Sequence, residues 1–355
     1  MNNLGLSAEP ADFSPSVASS SSADSAPLAS WSAPSGEGVR LPVLLTKADE
    51  KTVRHFLEFF AATIRNRNTR TAYFRGVKKF LDWCAGRGAR ELAQIQTLHV
   101  AAFIEEEMAR HEAQTVKQEL AAIRKLFDYL VVKQVVTSNP ATSVRGPAYS
   151  ISRGKTPVLS GEEAKALLES IAIYKDGEER EIDLLGLRDR ALIAAMVYSF
   201  ARVGAVVKMR GEDYYHQGRR SKLRLHEKGG KYHQVPVHHK AAEYLDAYVE
   251  AAGIGEEKKL PLFRSIPGKN GSLTLLPLST VDVLRMIKKR ALAAGLPSEV
   301  CCHTFRATGI TNYLENGGTV EGAQQIAAHA SPRTTKLYDR RNDEIDQQEV
   351  ERIRL

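Results

Sequence analysis

Three stretches near the end of the chain carry side chains suited to one chemistry: His303-Thr304-Phe305-Arg306, Ala328-His329 and Tyr338. His303 and Arg306 are three residues apart, which sets them on one face of a helix. His329 adds a second imidazole, and Tyr338, on what reads as a short helix, adds a phenol. Cations and imidazoles gather around a phosphate, and a phenol can attack it. The phenol needs help, because its ordinary pKa of about 10 keeps it protonated at neutral pH. The set points to covalent phosphoryl transfer. The sequence has no Walker loop and no carboxylate cluster that would suggest magnesium, so no nucleotide, metal or other cofactor is expected. Adjacent Cys301 and Cys302 beside His303 lack the C-x₂-C spacing of a metal site.

A chain of 355 residues is long enough for two domains and a sizeable core. Its 43% hydrophobic content fits a globular protein. No run of 18 apolar residues spans a membrane, and the start lacks the basic and apolar regions of a secretory signal. The three cysteines, Cys84, Cys301 and Cys302, read as reduced thiols of a cytoplasmic protein. Net charge is +8. The first 46 residues carry Glu9, Asp12, Asp24 and Glu37 against Arg40 alone, a net of −3. The remainder is therefore strongly basic, which suggests a polyanionic partner.

The elements that must position the phosphate-directed residues can be read along the chain. Residues 1–46 hold eleven serines and five prolines and are expected to form a disordered tail. Residues 47–140 read as a helical unit. Phe56, Phe59, Phe60 and Ile64 recur at helical spacing. Thr69 is expected to cap a second helix with Tyr73, Val77, Phe80, Leu81 and Cys84 inside, stopped by Gly86 and Gly88. Thr97 is expected to cap a third, through Val100, Phe103, Ile104 and Met108, and Thr115 with Gln118 to box a fourth. The polar faces carry Arg70, Arg75, Lys78, Lys79, Lys117, Arg124 and Lys125. These are either a solvated face or a phosphate-contacting surface. A Pro- and Gly-broken basic linker, 141–158, follows with Arg145 and Arg153. Residues 159–355 open on a capping box, Ser160 to Glu163, and continue through an apolar helix from Leu187 to Val197. Two strands, Lys222–Leu225 and Tyr232–Val237, flank Lys228-Gly229-Gly230-Lys231, where Gly-Gly permits a tight hairpin. The expected fold is mainly α with a small antiparallel β-sheet.

Arg202, in Ser199-Phe200-Ala201-Arg202-Val203-Gly204, and Lys228 at the hairpin tip complete an ordered series. His329 follows Arg306 by 23 residues, and Tyr338 follows His329 by nine. This series resembles the tyrosine recombinase, or phage integrase, family. Gly186 to Leu192 is similar to the family stretch leading to its first arginine. Glu227-Lys228-Gly229-Gly230-Lys231 with Val235-Pro236-Val237 is similar to its lysine hairpin, and Ala328 to Tyr338 to its nucleophile box. Singly these motifs are weak. Together, in order and at matching spacing over about 50 to 340, they are specific.

The resemblance implies a two-domain DNA clamp, a helical, SAM-like core-binding domain joined to a catalytic domain. It implies a site-specific recombinase that cuts and rejoins double-stranded DNA through a 3′-phosphotyrosyl link, for integration, excision or resolution of a mobile element or replicon. The partners implied are specific duplex sites and, on paired sites, a homo-tetramer assembled from free monomers or dimers. Working on bacterial DNA, it would be cytoplasmic and nucleoid-associated. Tyr338 would be the nucleophile. Arg202 and Arg306 would clamp the phosphate, for which planar forks suit. His303 and His329 would complete the pocket and move protons, and Lys228 would protonate the departing 5′ oxygen. The family often has an acidic residue three positions after the first arginine, where it supports the cations; here that position is Ala205. Two alternatives share much of the set: a type IB topoisomerase, against which His303 speaks, and a DNA-binding protein with a decayed site, hinted at by Ala205. The segment Glu344 to Ile353 reads as a modestly amphipathic helix.

Overall fold

The computed structural model of the chain describes residues 40–148, 154, 156–175, 181–227, 232–267, 272–339 and 351. They fall into two units, one up to Ser150 and one from Ile151. Among the described residues no helix is long and apolar enough to cross a membrane.

The first unit is built on α1 (Glu50–Glu58), α2 (Arg67–Gly86), α3 (Thr97–Arg110) and α4 (Ala113–Val132). The Asp49 carboxylate caps α1 by accepting from Thr52 N at 2.8 Å. The helix continues as a π turn over Phe59–Thr63. Phe56, Phe59, Phe60, Phe80, Phe103 and Phe127 are all fully buried and meet edge to face, as at Phe80–Phe103 with centroids 5.1 Å apart.

Several starts differ from expectation. The cap of α2 is Asn66, which accepts from Asn68 N and Thr69 N, not Thr69. Gln96 caps α3, and α4 starts at Ala113 without a side-chain cap. The capping residue is the last one in extended backbone conformation, and Asn66, Gln96 and Glu112 hold that place. Met108 is exposed, while Glu107 is buried at 2%. The phase set by Val100, Phe103 and Ile104 turns position 107 inward, and Lys79 neutralises it.

The core of the first unit takes in residues that the sequence reading gave to the tail and to the linker. Leu44 and Leu45 are buried in this core, and Asp82 accepts from Val43 N at 2.9 Å. Ala141 and Val144 are buried there too, their carbonyls accepting from the Arg124 guanidinium. Residues 1–39, Lys155 and 149–153, with Arg153, lie outside the described residues.

The second unit comprises α5 (Gly161–Ser170), α6 (Leu184–Ser199), α7 (Val203–Val206), a sheet, α8 (His239–Ala251), α9 (Thr280–Ala293), α10 (Cys302–Glu315), α11 (Val320–Ile326) and α12 (Pro332–Lys336). The Ser160–Glu163 box starts α5 as expected: Glu163 N donates to Ser160 Oγ at 3.0 Å and Ser160 N to Glu163 Oε2 at 2.8 Å. The sheet has three antiparallel strands, β1 (Tyr214–Gln217), β2 (Arg220–His226) and β3 (Tyr232–Pro236), in that order. Tyr214 faces Leu223, and His226 faces Tyr232. The sequence reading omits β1, because only Tyr214 of its four residues is buried and no apolar alternation marks it.

At the centre lies α10, buried from Thr304 through Thr311. Gly309 lets it press against α6: a Cβ there would lie 2.1 Å from the Val197 carbonyl oxygen. This close approach carries the first turn of α10, with His303 and Arg306, to the end of α6.

Candidate active site

Two corners in left-handed backbone flank the site. Phe200 (φ 54) ends α6, and Ala328 (φ 49) follows α11. Such conformations are costly for residues with a Cβ and persist where surroundings hold them. Here both corners meet one side chain. Arg306, 1% exposed, donates Nη1 to the Phe200 carbonyl and Nη2 to the Ala327 carbonyl at 2.7 Å. Its buried Nε has no hydrogen-bond partner among the described residues.

Arg202, the N-cap of α7, stands just past the first corner. Its Nη1 lies 2.6 Å from Glu227 Oε2, and the same carboxylate's Oε1 is 3.9 Å from Arg306 Nη1. Two guanidinium groups thus share one carboxylate, whose side chain is only 1% exposed. The Arg202 side chain remains 36% exposed. The surplus positive charge faces the phenol and both imidazoles.

Tyr338 lies in the turn after α12, two residues past its end, rather than on the helix. Ser331 caps α12 and Pro332 fills its first position. Thr311 Oγ1 donates to the Tyr338 carbonyl at 3.1 Å, tying the turn to α10. The Tyr338 hydroxyl is 2.9 Å from His303 Nε2. The His329 ring stacks on the Tyr338 ring, with centroids 6.0 Å apart and planes 9° from parallel. His329 Nδ1 pairs with the fully buried Thr335 hydroxyl at 2.9 Å.

Burial, reinforced by the charges of Arg306 and Arg202, pushes the pKa of His303 down. The same causes in the same order push His329 to about 3, with His303 adding to them. Both rings are therefore neutral at pH 7. Burial raises the Tyr338 phenol, while the Arg306 and Arg202 charges pull it back. Burial and then the Arg202 charge lower Arg306 to about 10, against which Glu227 works.

Of the six residues singled out for phosphate chemistry, five meet here: Arg202, His303, Arg306, His329 and Tyr338. Lys228 lies outside the described residues, as do 229–231. Sequence reasoning missed Glu227, Thr311 and Thr335. Glu227 stands beside Lys228 in the quoted hairpin motif, so the signal was a carboxylate next to a motif lysine. Nothing in the sequence marks the two threonines.

The basic residues of the first unit differ in what holds them. Arg70 donates Nε and Nη2 to the Ile64 carbonyl at 3.1 and 2.8 Å. Lys78 pairs with Asp82, and Lys79 pairs with Glu107 and lies 3.4 Å from Glu119. Arg124 holds the Ala141 and Val144 carbonyls. These four act within the fold. Arg75, Lys117, Lys125 and Arg145 are exposed.

Residues 157–344 match the model of the phage integrase family, and residues 52–134 match that of the phage integrase N-terminal SAM-like domain. The tyrosine recombinase XerD of Mycobacterium leprae is 28% identical over 279 residues, covering 76% of this chain and 86% of the relative. XerC of Xanthomonas campestris is 26% identical over 272 residues, covering 76% and 78%. Among solved structures, the XerH recombinase bound to its difH substrate matches with a TM-score of 0.59 at 22% identity, covering 86% of this chain and 84% of that one. A lambda integrase dimer bound to a COC′ core site matches at 0.61 and 20%, covering 83% and 79%. These two likenesses are of fold: a helical N-terminal unit followed by a mainly helical unit with a small antiparallel sheet. With more than half its length under the phage integrase model, and with this arrangement of cations around a buried phenol, the chain belongs to the phage integrase family of tyrosine recombinases.

Proposed function

We propose that this recombinase cuts duplex DNA by attack of Tyr338 Oη on the scissile phosphate, with His303 Nε2 taking the phenolic proton. The 2.9 Å contact between those two atoms carries the reading. Neutral His303 has a free lone pair for that proton, because burial and two arginines disfavour its charged form. As the Oη–P bond forms, the P–O5′ bond breaks, and the 5′ oxygen takes a proton from Lys228. The 3′ end stays on Tyr338 until the 5′ hydroxyl of another strand reverses the step. One phosphodiester is exchanged for another, so no external energy source is needed.

Arg202 and Arg306 stabilise the charge that develops on the nonbridging oxygens. The exposed part of Arg202 and the unpartnered Nε of Arg306 supply donors for them. His329 is held neutral and stacked on the phenol ring, which fixes the ring's plane and leaves its Nε2 to hydrogen-bond the phosphate. Arg75, Lys117, Lys125 and Arg145 contact the DNA backbone, and Arg153 extends that contact. The substrates are specific duplex sites of a mobile element or replicon in the cytoplasm. Four protomers assemble on paired sites, as the solved lambda integrase tetramer bound to a Holliday junction does.

The test is covalent trapping. Nicked duplexes of randomised sequence are incubated with the protein, and DNA retained after SDS denaturation is selected and amplified. The selected pool then serves as probe. Tyr338→Phe, which keeps the ring, should bind the pool with affinity within about twofold of wild type and retain no DNA after SDS. A covalent adduct with the phenylalanine variant would overturn the assignment.

A further inference from the structure

We propose that Glu227 is the positioning carboxylate of this active site, supplied from the end of β2 in place of the acidic residue absent from position 205. The proposal rests on the phosphotyrosyl reading above. Glu227 directly follows β2 (Arg220–His226), and α7 packs against that strand. Ala205 on α7 is 3% exposed and shares the core with Leu225 of β2. A carboxylate missing from the short helix is thus provided by the strand beside it.

Glu227 does not face the phenol or the imidazoles. It acts through the arginines. One oxygen takes Arg202 Nη1 at 2.6 Å, and the other lies 3.5 Å from the Arg202 backbone N–H and 3.9 Å from Arg306 Nη1. The Glu227 side chain is 1% exposed, so its carboxylate is desolvated and needs its cationic partners, while Arg202 still meets solvent on its other side. Without that charge, two guanidinium groups face each other, and Arg306 keeps two backbone carbonyls and the Tyr338 side chain but no anion. Arg202 has no other side-chain partner among the described residues and would be free to swing toward solvent. Both arginines must already be in place when charge develops on the phosphate, because reorganisation at that moment cancels the benefit.

The experiment uses the full chain and the selected nicked-duplex pool. Single-turnover adduct formation is measured at saturating protein, and affinity is measured separately by gel shift. Glu227→Gln is isosteric and removes only the charge. It should slow adduct formation by at least about tenfold while leaving affinity within about twofold. Glu227→Asp, which restores the charge on a shorter arm, should recover part of the rate. Unchanged affinity in the same sample shows that the variant is folded. A Gln variant with the wild-type rate overturns the proposal while leaving the phosphotyrosyl reading standing. So does an equal loss of rate and affinity, because that would mark Glu227 as a general prop of the fold. Absence of adduct with the wild-type chain overturns the phosphotyrosyl reading and this proposal with it.

Discussion

His303 can take a proton from Tyr338 only while its ring is neutral. Burial, then Arg306, then Arg202 hold its pKa below the ordinary 6.5. The neutral form therefore persists through the neutral range, and protonation sets in only as pH falls below 6.5. Single-turnover adduct formation should therefore be flat from about pH 7 to 8 and decline on the acid side. His303→Gln, which lacks the titrating base, should show a lower plateau and no acid limb of this kind. A wild-type rate that climbs tenfold per unit through pH 7–8 would instead mean that Tyr338 ionises without His303. Arg202, His303, Arg306, His329 and Tyr338 could be picked out in the sequence because their types suit phosphate chemistry and their order and spacing resemble the family series. Glu227, Thr311 and Thr335 could not, since their partners lie 25, 27 and six residues away and depend on the fold to be met.

Helices and strands were legible where apolar spacing marks them and less so at their ends. The aromatic core of the first unit and the capping box of α5 could be read directly. The starts of α2, α3 and α4 could not, because threonines a few residues inside also fit a cap by type. The precision that matters for the site is the seating of α10 on α6, which rests on Gly309. Gly309→Ala would put a methyl 2.1 Å from the Val197 carbonyl oxygen and 2.7 Å from the Phe200 ring. Phe200 also supplies a carbonyl to Arg306, so displacement there reaches the site. The variant should lose about 1–3 kcal/mol or more of stability, together with adduct formation. Gly86→Ala is the control. It ends α2 with no atom within 4 Å of an added Cβ, so it should be neutral or stabilising by up to about 1 kcal/mol. Thermal unfolding of both variants decides. Equal behaviour would mean that α10 can slide on α6 at no cost.

Across the whole molecule the charge of +8 says that a polyanion is attracted, but not which side chains meet it. Sequence displays a basic residue without its partner. Lys79 and Arg124 both look like surface cations, yet one neutralises buried Glu107 and the other satisfies two carbonyls of the chain segment after α4. Removing Arg124 leaves two carbonyls without that donor, and removing Lys79 takes from buried Glu107 its lysine and leaves His111 at 3.3 Å beside it; both cost stability first. Arg75, Lys125 and Arg145 are exposed and carry no such duty that their positions reveal. Each phosphate contact that a cation makes releases counterions, so affinity falls with salt by about 0.9 log units per log unit for each contact. Arg75→Gln, Lys125→Gln and Arg145→Gln combined should therefore weaken binding of the selected pool and flatten its salt dependence by up to about 2–3 in slope, with the unfolding temperature unchanged. Lys79→Gln with Arg124→Gln should do the reverse, lowering the unfolding temperature by several degrees while the folded fraction keeps its salt slope. If the triple variant binds with an unaltered slope, the DNA does not run along this part of the helical unit, and its basic residues only keep the surface solvated.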